Sequence, residues 1–296
     1  MQRIKKEWIF ILLVVLIGFI LWSYFTKEKR YYKMSVAAID ADIRKVSKKT
    51  TNFAEQIEYY SERFLNAPYD FTATGEGTHG LYDQNPLLNL KKVNCMTLCE
   101  TVLALALSDY YEEMFNVLQH IRYRNGIISM ASRNHYTMAD WLPANSWCLD
   151  DVSVQVGGAD TKQLTRKISH RKFFLQKGIE NIPVMMPDRE VTIDYVPLKK
   201  LPDHIDAIKS GDIVALIQDK PGIFSAHMLL AIIEGGDLIF RHAPIKAGKV
   251  VDSPFKEYMQ ELKKDRNYVG MSFMRVKSKI QWRTGEYTHG KLIIGE

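Results

Sequence analysis

The hydrophobic positions of this chain change their period along its length. Residues 8–25 form an uninterrupted apolar run with no charge. At about 1.5 Å per residue it spans roughly 27 Å, near the hydrocarbon thickness of a bilayer. Trp8, Trp22, Tyr24 and Phe25 stand at its ends, where an interfacial aromatic belt lies. From Phe53 to Leu65 the apolar residues Phe53, Ile57, Tyr60 and Phe64 recur at helical spacing. Residues 95–108 predict a long, mostly apolar helix, and 112–122 predict a second. Downstream the runs shorten and read as strands: 168–176, 190–197, 213–217, one opened by His227, one closed by His242, and 270–276. Gly235-Gly236-Asp237 joins the two histidine-bearing runs as a hairpin signal, and 255–263 is helical. Helices first and an antiparallel sheet afterwards predict an α+β fold.

Turn formers separate these elements. The loop 67–85 carries Pro68, Gly75, Gly77 and Gly80, and the stretch 124–158 is irregular and polar-aromatic. Arg3, Lys5 and Lys6 precede the first apolar run as in a signal sequence. Ala37-Ala38 lies too far beyond that run for processing, and no Cys follows it for lipid attachment. The run therefore reads as an uncleaved transmembrane signal anchor. Lys27, Lys29, Arg30 and Lys33 follow it, so the positive-inside rule does not discriminate. A short tail and a long remainder place the tail inside and the domain outside, on the periplasmic face of an inner membrane. The expected plan is an anchor over 1–26, a membrane-proximal stalk over 27–52, one catalytic domain over 53–280 and a tail over 281–296.

Composition excludes several classes. The chain has 296 residues and a net charge of +6, with no Lys/Arg run interleaved with aromatics as in nucleic-acid grooves. A mildly basic surface suits an anionic partner such as a phospholipid headgroup or a cell-wall polymer. Phosphate-loop, dinucleotide and Gly-x-Ser-x-Gly signatures are absent. Cys95 and Cys99 are spaced C-x₃-C, but no second Cys/His pair has zinc-ligand spacing, so neither metal nor cofactor is expected. Cys99 and Cys148 would pair in an oxidising space or stay as buried thiols.

Cys95 is the residue with chemistry. It stands between a turn-rich loop and the first long helix. Unpaired N–H groups and the positive end of the helix dipole favour a thiolate there. His227 can serve as its base, and His242, one hairpin away, can hold the tautomer of His227. The Cys95 backbone N–H would supply an oxyanion donor. Singly, each residue also fits an ordinary packing role.

The segments Asn94-Cys95-Met96-Thr97-Leu98-Cys99-Glu100-Thr101, Ile121-Arg122-Tyr123-Arg124-Asn125-Gly126, Ser132-Arg133-Asn134-His135-Tyr136 and Asp140-Trp141 together resemble a bacterial cell-wall family. So do Ser210-Gly211-Asp212-Ile213, His227 and Arg241-His242-Ala243-Pro244 in the C-terminal half. The resemblance is to the N-acetylmuramoyl-L-alanine amidase-like family, of the NlpC-type papain-like cysteine hydrolases, over roughly residues 60 to 280. It implies a papain-like fold, a helix-borne Cys packed on an antiparallel sheet, with Cys95 as nucleophile, His227 as base and His242 as third member. Pro68-Tyr69 resembles the pair in which the Tyr helps line the oxyanion site. Asn94 stands where the family usually has Asp, which keeps a capping oxygen and removes a charge.

Within that resemblance, Ser132, Arg133, His135, Tyr136, Asp140, Trp141 and Asn145 would line a cleft for a sugar–peptide substrate. Arg suits a carboxylate and an aromatic suits a sugar face. The bland alternative is an Arg133–Asp140 ion pair and a core Trp141. The expected activity is hydrolysis of the amide between the muramic lactyl group and L-Ala, in peptidoglycan or muropeptides. A stem-peptide endopeptidase, a Cys-His acyltransferase and an inactive wall-binding module remain as alternatives.

Overall fold

Four helices lead the fold, and the apolar stripe of each explains its place. The computed structural model describes residues 29–183 and 186–280. Helix α1 (Val36–Lys49) is capped by Ser35, whose hydroxyl accepts from the Ala38 N–H, and buries Ile39, Ile43 and Val46. Helix α2 (Phe53–Glu62) is capped by Asn52 and buries Ile57 and Tyr60. Helix α3 (Cys95–Ala106) is apolar on nearly every side and is buried from Thr97 onward, as such a helix must be. Helix α4 (Tyr111–Arg122) packs against it, and the Arg122 guanidinium meets Glu100 of α3 at 2.9 Å in the interior. Burying that pair is tolerable because each charge has its partner.

The sheet follows. Strands β1 (Leu149–Asp151), β2 (Lys162–Ile168), β3 (Arg189–Pro197), β4 (Ile213–Lys220), β5 (Ile223–Glu234), β6 (Asp237–His242), β7 (Val251–Pro254) and β8 (Tyr268–Val276) pair antiparallel throughout. Their spatial order is β2-β3-β8-β4-β5-β6-β7, with β1 also on β8. The central strands β4 and β5 bury both faces. Ile213, Ala215, Met228 and Leu230 face the core shared with the four helices, whereas Val214, Leu216, Leu229 and Ala231 face a second core. That second layer is closed by helix α5 (Ser153–Gly157) and helix α7 (Phe255–Leu262).

The turn 210–212 shows why its residues recur as a block. Gly211 has φ +87°, and a Cβ there would lie 2.9 Å from the Ala54 Cα. Only glycine fits both demands. Asp212 accepts from the Lys209 N–H and takes both ends of the Arg275 guanidinium at 2.6 Å. These residues therefore fasten α2 to the sheet.

Several expectations need correction. No helix among the described residues is long and apolar enough to cross a membrane. The expected span over 8–25 and the tail over 281–296 lie outside the described residues. Among the described residues the fold is the α+β domain; the membrane as partner and the single-pass inner-membrane placement, which rested on that span, are withdrawn. Residues 36–49 of the expected stalk belong to the main core. There the buried Asp42 carboxylate accepts from the hydroxyls of Tyr31 and Tyr59 at 3.0 Å and meets Lys29 at 3.2 Å. The run 168–176, expected as a strand, ends β2 and then forms helix α6 (His170–Gln176). Ser169 is the reason, since its hydroxyl caps the helix at the Lys172 N–H.

A core role for α1 has a measurable consequence. Ile43→Ala should cost about 2–5 kcal/mol in urea unfolding of the full chain. A cost near zero would mean that α1 contributes nothing to the domain.

Candidate active site

The thiol is placed by its cap. Asn94 Oδ1 accepts the Thr97 N–H at 2.9 Å while Thr97 Oγ1 accepts the Asn94 N–H at 2.8 Å, a reciprocal capping box. This starts α3 at Cys95. The preceding Val93 forms a parallel bridge with Tyr69, which is held in turn by its N–H on the Gly248 carbonyl. Tyr69 is thereby brought beside Cys95 despite the long loop after it: burial first, then the charges of Cys95 and Asp70, push its phenol pKa up.

The histidines arrive from the sheet. Between the pairs Leu216–His227 and Ile217–Ser225 the register slips by one residue, a β-bulge at Ala226 that re-aims His227. Strand β6 pairs with β5 only as far as Arg241 opposite Leu230. Beyond that point the β5 edge is open on this side, and the Met228 N–H lies near enough to the Cys95 sulfur to favour its thiolate. His227 Nε2 lies 2.7 Å from His242 Nδ1, and His242 Nε2 lies 2.9 Å from Ser253 Oγ on β7. Tyr258 of α7 packs edge-on against the His242 ring, with centroids 5.2 Å apart. Of the three residues expected to act together, His227 and His242 are thus bonded to each other, and Cys95 lies near Met228, the neighbour of His227 on the same strand.

Electrostatics sets their resting state. Burial pushes the Cys95 thiol up, against the opposing pull of the Met228, Met96 and Cys95 N–H groups. The helix start does favour the thiolate as the sequence predicts, but burial outweighs it. Burial and the neighbouring His242 lower His227 to about 3, and burial lowers His242 to about 4. At neutral pH the group is a thiol beside two neutral imidazoles.

The block 132–145 is mostly structural. Ser132 is buried and bonds the Ser129 hydroxyl at 2.8 Å. Arg133 does not pair with Asp140; it bridges Glu76 at 3.4 Å and Asp83 at 3.2 Å, tying the 67–93 loop down. His135 donates from Nε2 to the Met130 carbonyl at 2.7 Å, and burial lowers it to about 3. Asp140 takes His170 at 2.8 Å and Arg189 at 2.6 Å. Trp141 is fully buried, and Asn145 spends its amide on the Ile121 and Trp141 carbonyls. Tyr136 donates its hydroxyl to the Ser169 carbonyl at 3.1 Å, and its neighbour Thr137 touches Met96, next to Cys95. Cys99 and Cys148 are buried thiols that form no disulfide, and Cys148 donates to the Asn145 carbonyl at 3.4 Å.

Ser253, Tyr258, His170 and Arg189 were not legible as site or hub residues. Each meets its partner only through sheet pairing or a long loop, and no local spacing marks them. Among the described residues no cluster of three metal-ligating side chains occurs.

The fold and this site define a cell-wall amidase-like α+β domain. A model of the N-acetylmuramoyl-L-alanine amidase-like family matches residues 59–267. The chain belongs to that family. An N-acetylmuramoyl-L-alanine amidase from Bacteroides uniformis, known from its crystal structure, is 31% identical, with 76% of this chain and 99% of that one covered and a TM-score of 0.62. A putative xylanase from Bacteroides fragilis is also 31% identical, covering 73% and 98%, with a TM-score of 0.58. A Legionella pneumophila protein of the DUF1460 family shares the fold at 24% identity, covering 82% and 97%, with a TM-score of 0.73. No curated protein matches the chain.

The depressed imidazoles carry a sign. Between about 6.5 and the folded values near 3 and 4, the unfolded chain binds more protons at these histidines than the folded one. Their contribution to stability is complete above about 6.5 and is lost as pH falls toward those values. NMR of the full chain should show His227 and His242 neutral from pH 8 down to about 5; titration near 6.5 would contradict the buried arrangement.

Proposed function

We propose that this protein hydrolyses the amide between the muramic lactyl group and L-Ala in peptidoglycan or its fragments, with Cys95 as nucleophile, His227 as base and His242 as the residue that orients it. The observation that supports this most is the convergence of the Cys95 sulfur and the His227–His242–Ser253 hydrogen-bond chain at the open edge of β5. A glycosidase would need two carboxylates across the scissile bond, whereas this edge holds a thiol, two imidazoles and a phenol.

The chain of bonds supports a choice of tautomer that leaves one nitrogen as the base. With Ser253 Oγ accepting from His242 Nε2–H, His242 Nδ1 is a lone pair and accepts from His227 Nε2–H. His227 Nδ1 is then unprotonated and free to take the thiol proton. Because the resting pair is neutral, proton transfer accompanies attack rather than preceding it. The sulfur bonds to the lactyl carbonyl carbon, and its proton goes to His227 Nδ1. The imidazolium then protonates the alanine nitrogen as the C–N bond breaks. Water, deprotonated by His227, hydrolyses the thioester and restores the thiol. The Cys95 N–H and the Tyr69 hydroxyl are suited to stabilise the oxyanion. Of the seven residues expected to line the cleft, Tyr136 is retained as a contact.

Incubation of the full chain with N-acetylmuramoyl peptides should release a free L-Ala amine, read by mass spectrometry. Cys95→Ala should abolish release, and His227→Ala should lower kcat by about 10³-fold or more. Ser253→Ala should lower kcat about tenfold or more with KM little changed, as expected for a group that selects a tautomer. Release by Cys95→Ala at the wild-type rate would sink the mechanism. A product with L-Ala-D-Glu still on the sugar would instead identify a stem-peptide endopeptidase.

A further inference from the structure

A second cavity, of about 630 Å³, opens between the β2 edge, helix α6 and the β4–β5 turn. Its size is that of a small-ligand site. Its charge is unbalanced: Arg166, Lys167, Lys172 and Lys220 face Asp188 and Asp219. Tyr136 and Phe173 supply apolar surface in the same wall. Arg166 is oriented by Asp219 through Nη2, yet its buried Nε has no hydrogen-bond partner. A buried, unpaired donor on a cation is costly and suits an incoming anion.

The cavity shares strand β5 with His227. Ile223 lines it, and His227 stands four residues further along β5, about 13 Å at 3.3 Å per residue. Tyr136 lines it too, and the adjoining Thr137 touches Met96, next to Cys95. Three to four extended peptide residues cover about 10–14 Å.

Resting on the amidase reading, we infer that this cavity is the subsite for the acidic distal end of the stem peptide, so that the peptide runs from Cys95 along β5 toward Arg166. In an N-acetylmuramoyl peptide the lactyl carboxyl is consumed in the amide, and the remaining carboxylates sit on the peptide. The excess of cations therefore selects the peptide end over the neutral sugar. Asp188 is placed to meet the ammonium of a diamino acid residue. The sugar is left to the loop beside the thiol, where Phe71 is 74% exposed and its carbonyl accepts from Asn94 Nδ2 at 3.2 Å.

The test compares two substrates of the full chain: N-acetylmuramoyl-L-alanine, and N-acetylmuramoyl-L-Ala-γ-D-Glu-diaminopimelate. In Arg166→Gln and in the exposed-surface variant Lys172→Gln, the ratio of kcat/KM for the tripeptide to that for the short substrate should fall about tenfold, through KM. An unchanged ratio in both variants would overturn the assignment. Should the wild-type chain cleave neither substrate, the amidase reading fails separately. The subsite is then tested by calorimetric titration of the free tripeptide L-Ala-γ-D-Glu-diaminopimelate. Binding weakened about tenfold by either variant supports the subsite, and absent or undiminished binding overturns it.

Discussion

The early end of the β5–β6 pairing is the constraint on which the site depends. A fully paired sheet would have spent the Met228 N–H on β6. Because β6 leaves β5 after Arg241, that N–H is left to favour the Cys95 thiolate, and the N-terminus of α3 can sit against the strand. The departure is itself held in place. Arg241 grips Asp252 with two bonds of 2.7 Å and reaches Ser61 of α2 at 3.1 Å, so β6, β7 and the helical layer are tied at the same point. Two parallel bonds fix direction as well as distance. His242 follows at once and inherits that position.

Burial and hydrogen bonding oppose each other at this edge. Helix-start N–H groups favour a thiolate, but withdrawal from water favours the neutral thiol and neutral imidazoles, and the second effect is larger. The same balance recurs away from the thiol. Glu76 is pushed up to about 7 by burial against the pull of Arg133, while Asp140, also raised by burial, ends below the usual carboxylate range because His170 and Arg189 bond it. What decides the outcome is the number and quality of donors each buried group receives.

The polar-aromatic block between 132 and 145 shows how a motif can be specific and yet mainly architectural. Asp140 sits in a five-residue π-helical turn, Thr137–Trp141, accepts the Tyr136 N–H at 3.0 Å, and joins α6 to β3 through His170 and Arg189. Trp141 fills the interior behind it, and the Asn145 amide group donates to the Ile121 and Trp141 carbonyls there. Their effect on the site is indirect: they hold Thr137 against Met96. Aromatic and charged residues in an irregular stretch suggest a ligand surface when only spacing is known, because spacing does not reveal which way a loop turns.

Local pattern was enough for much of this protein. The apolar face of α2, the all-round apolar α3, the hairpin at 235–237 and the capped Cys95 follow from periodicity, turn chemistry and helix-end physics, which act within a few residues. The chain order of one helix-borne Cys and two strand-borne His residues likewise nominated Cys95, His227 and His242, the last two of which the sheet bonds to each other. Tertiary structure decided the rest. It folded 36–49 into the core, turned the end of an apparent strand into a helix behind Ser169, and re-paired Arg133 and Asp140 with distant partners. It also supplied Ser253 and the Met228 N–H, whose meaning depends on where one strand stops pairing with its neighbour. The physical reason is range: capping and periodicity are written between neighbours, whereas the state of a buried charge is set by whichever groups the sheet brings to it from far along the chain.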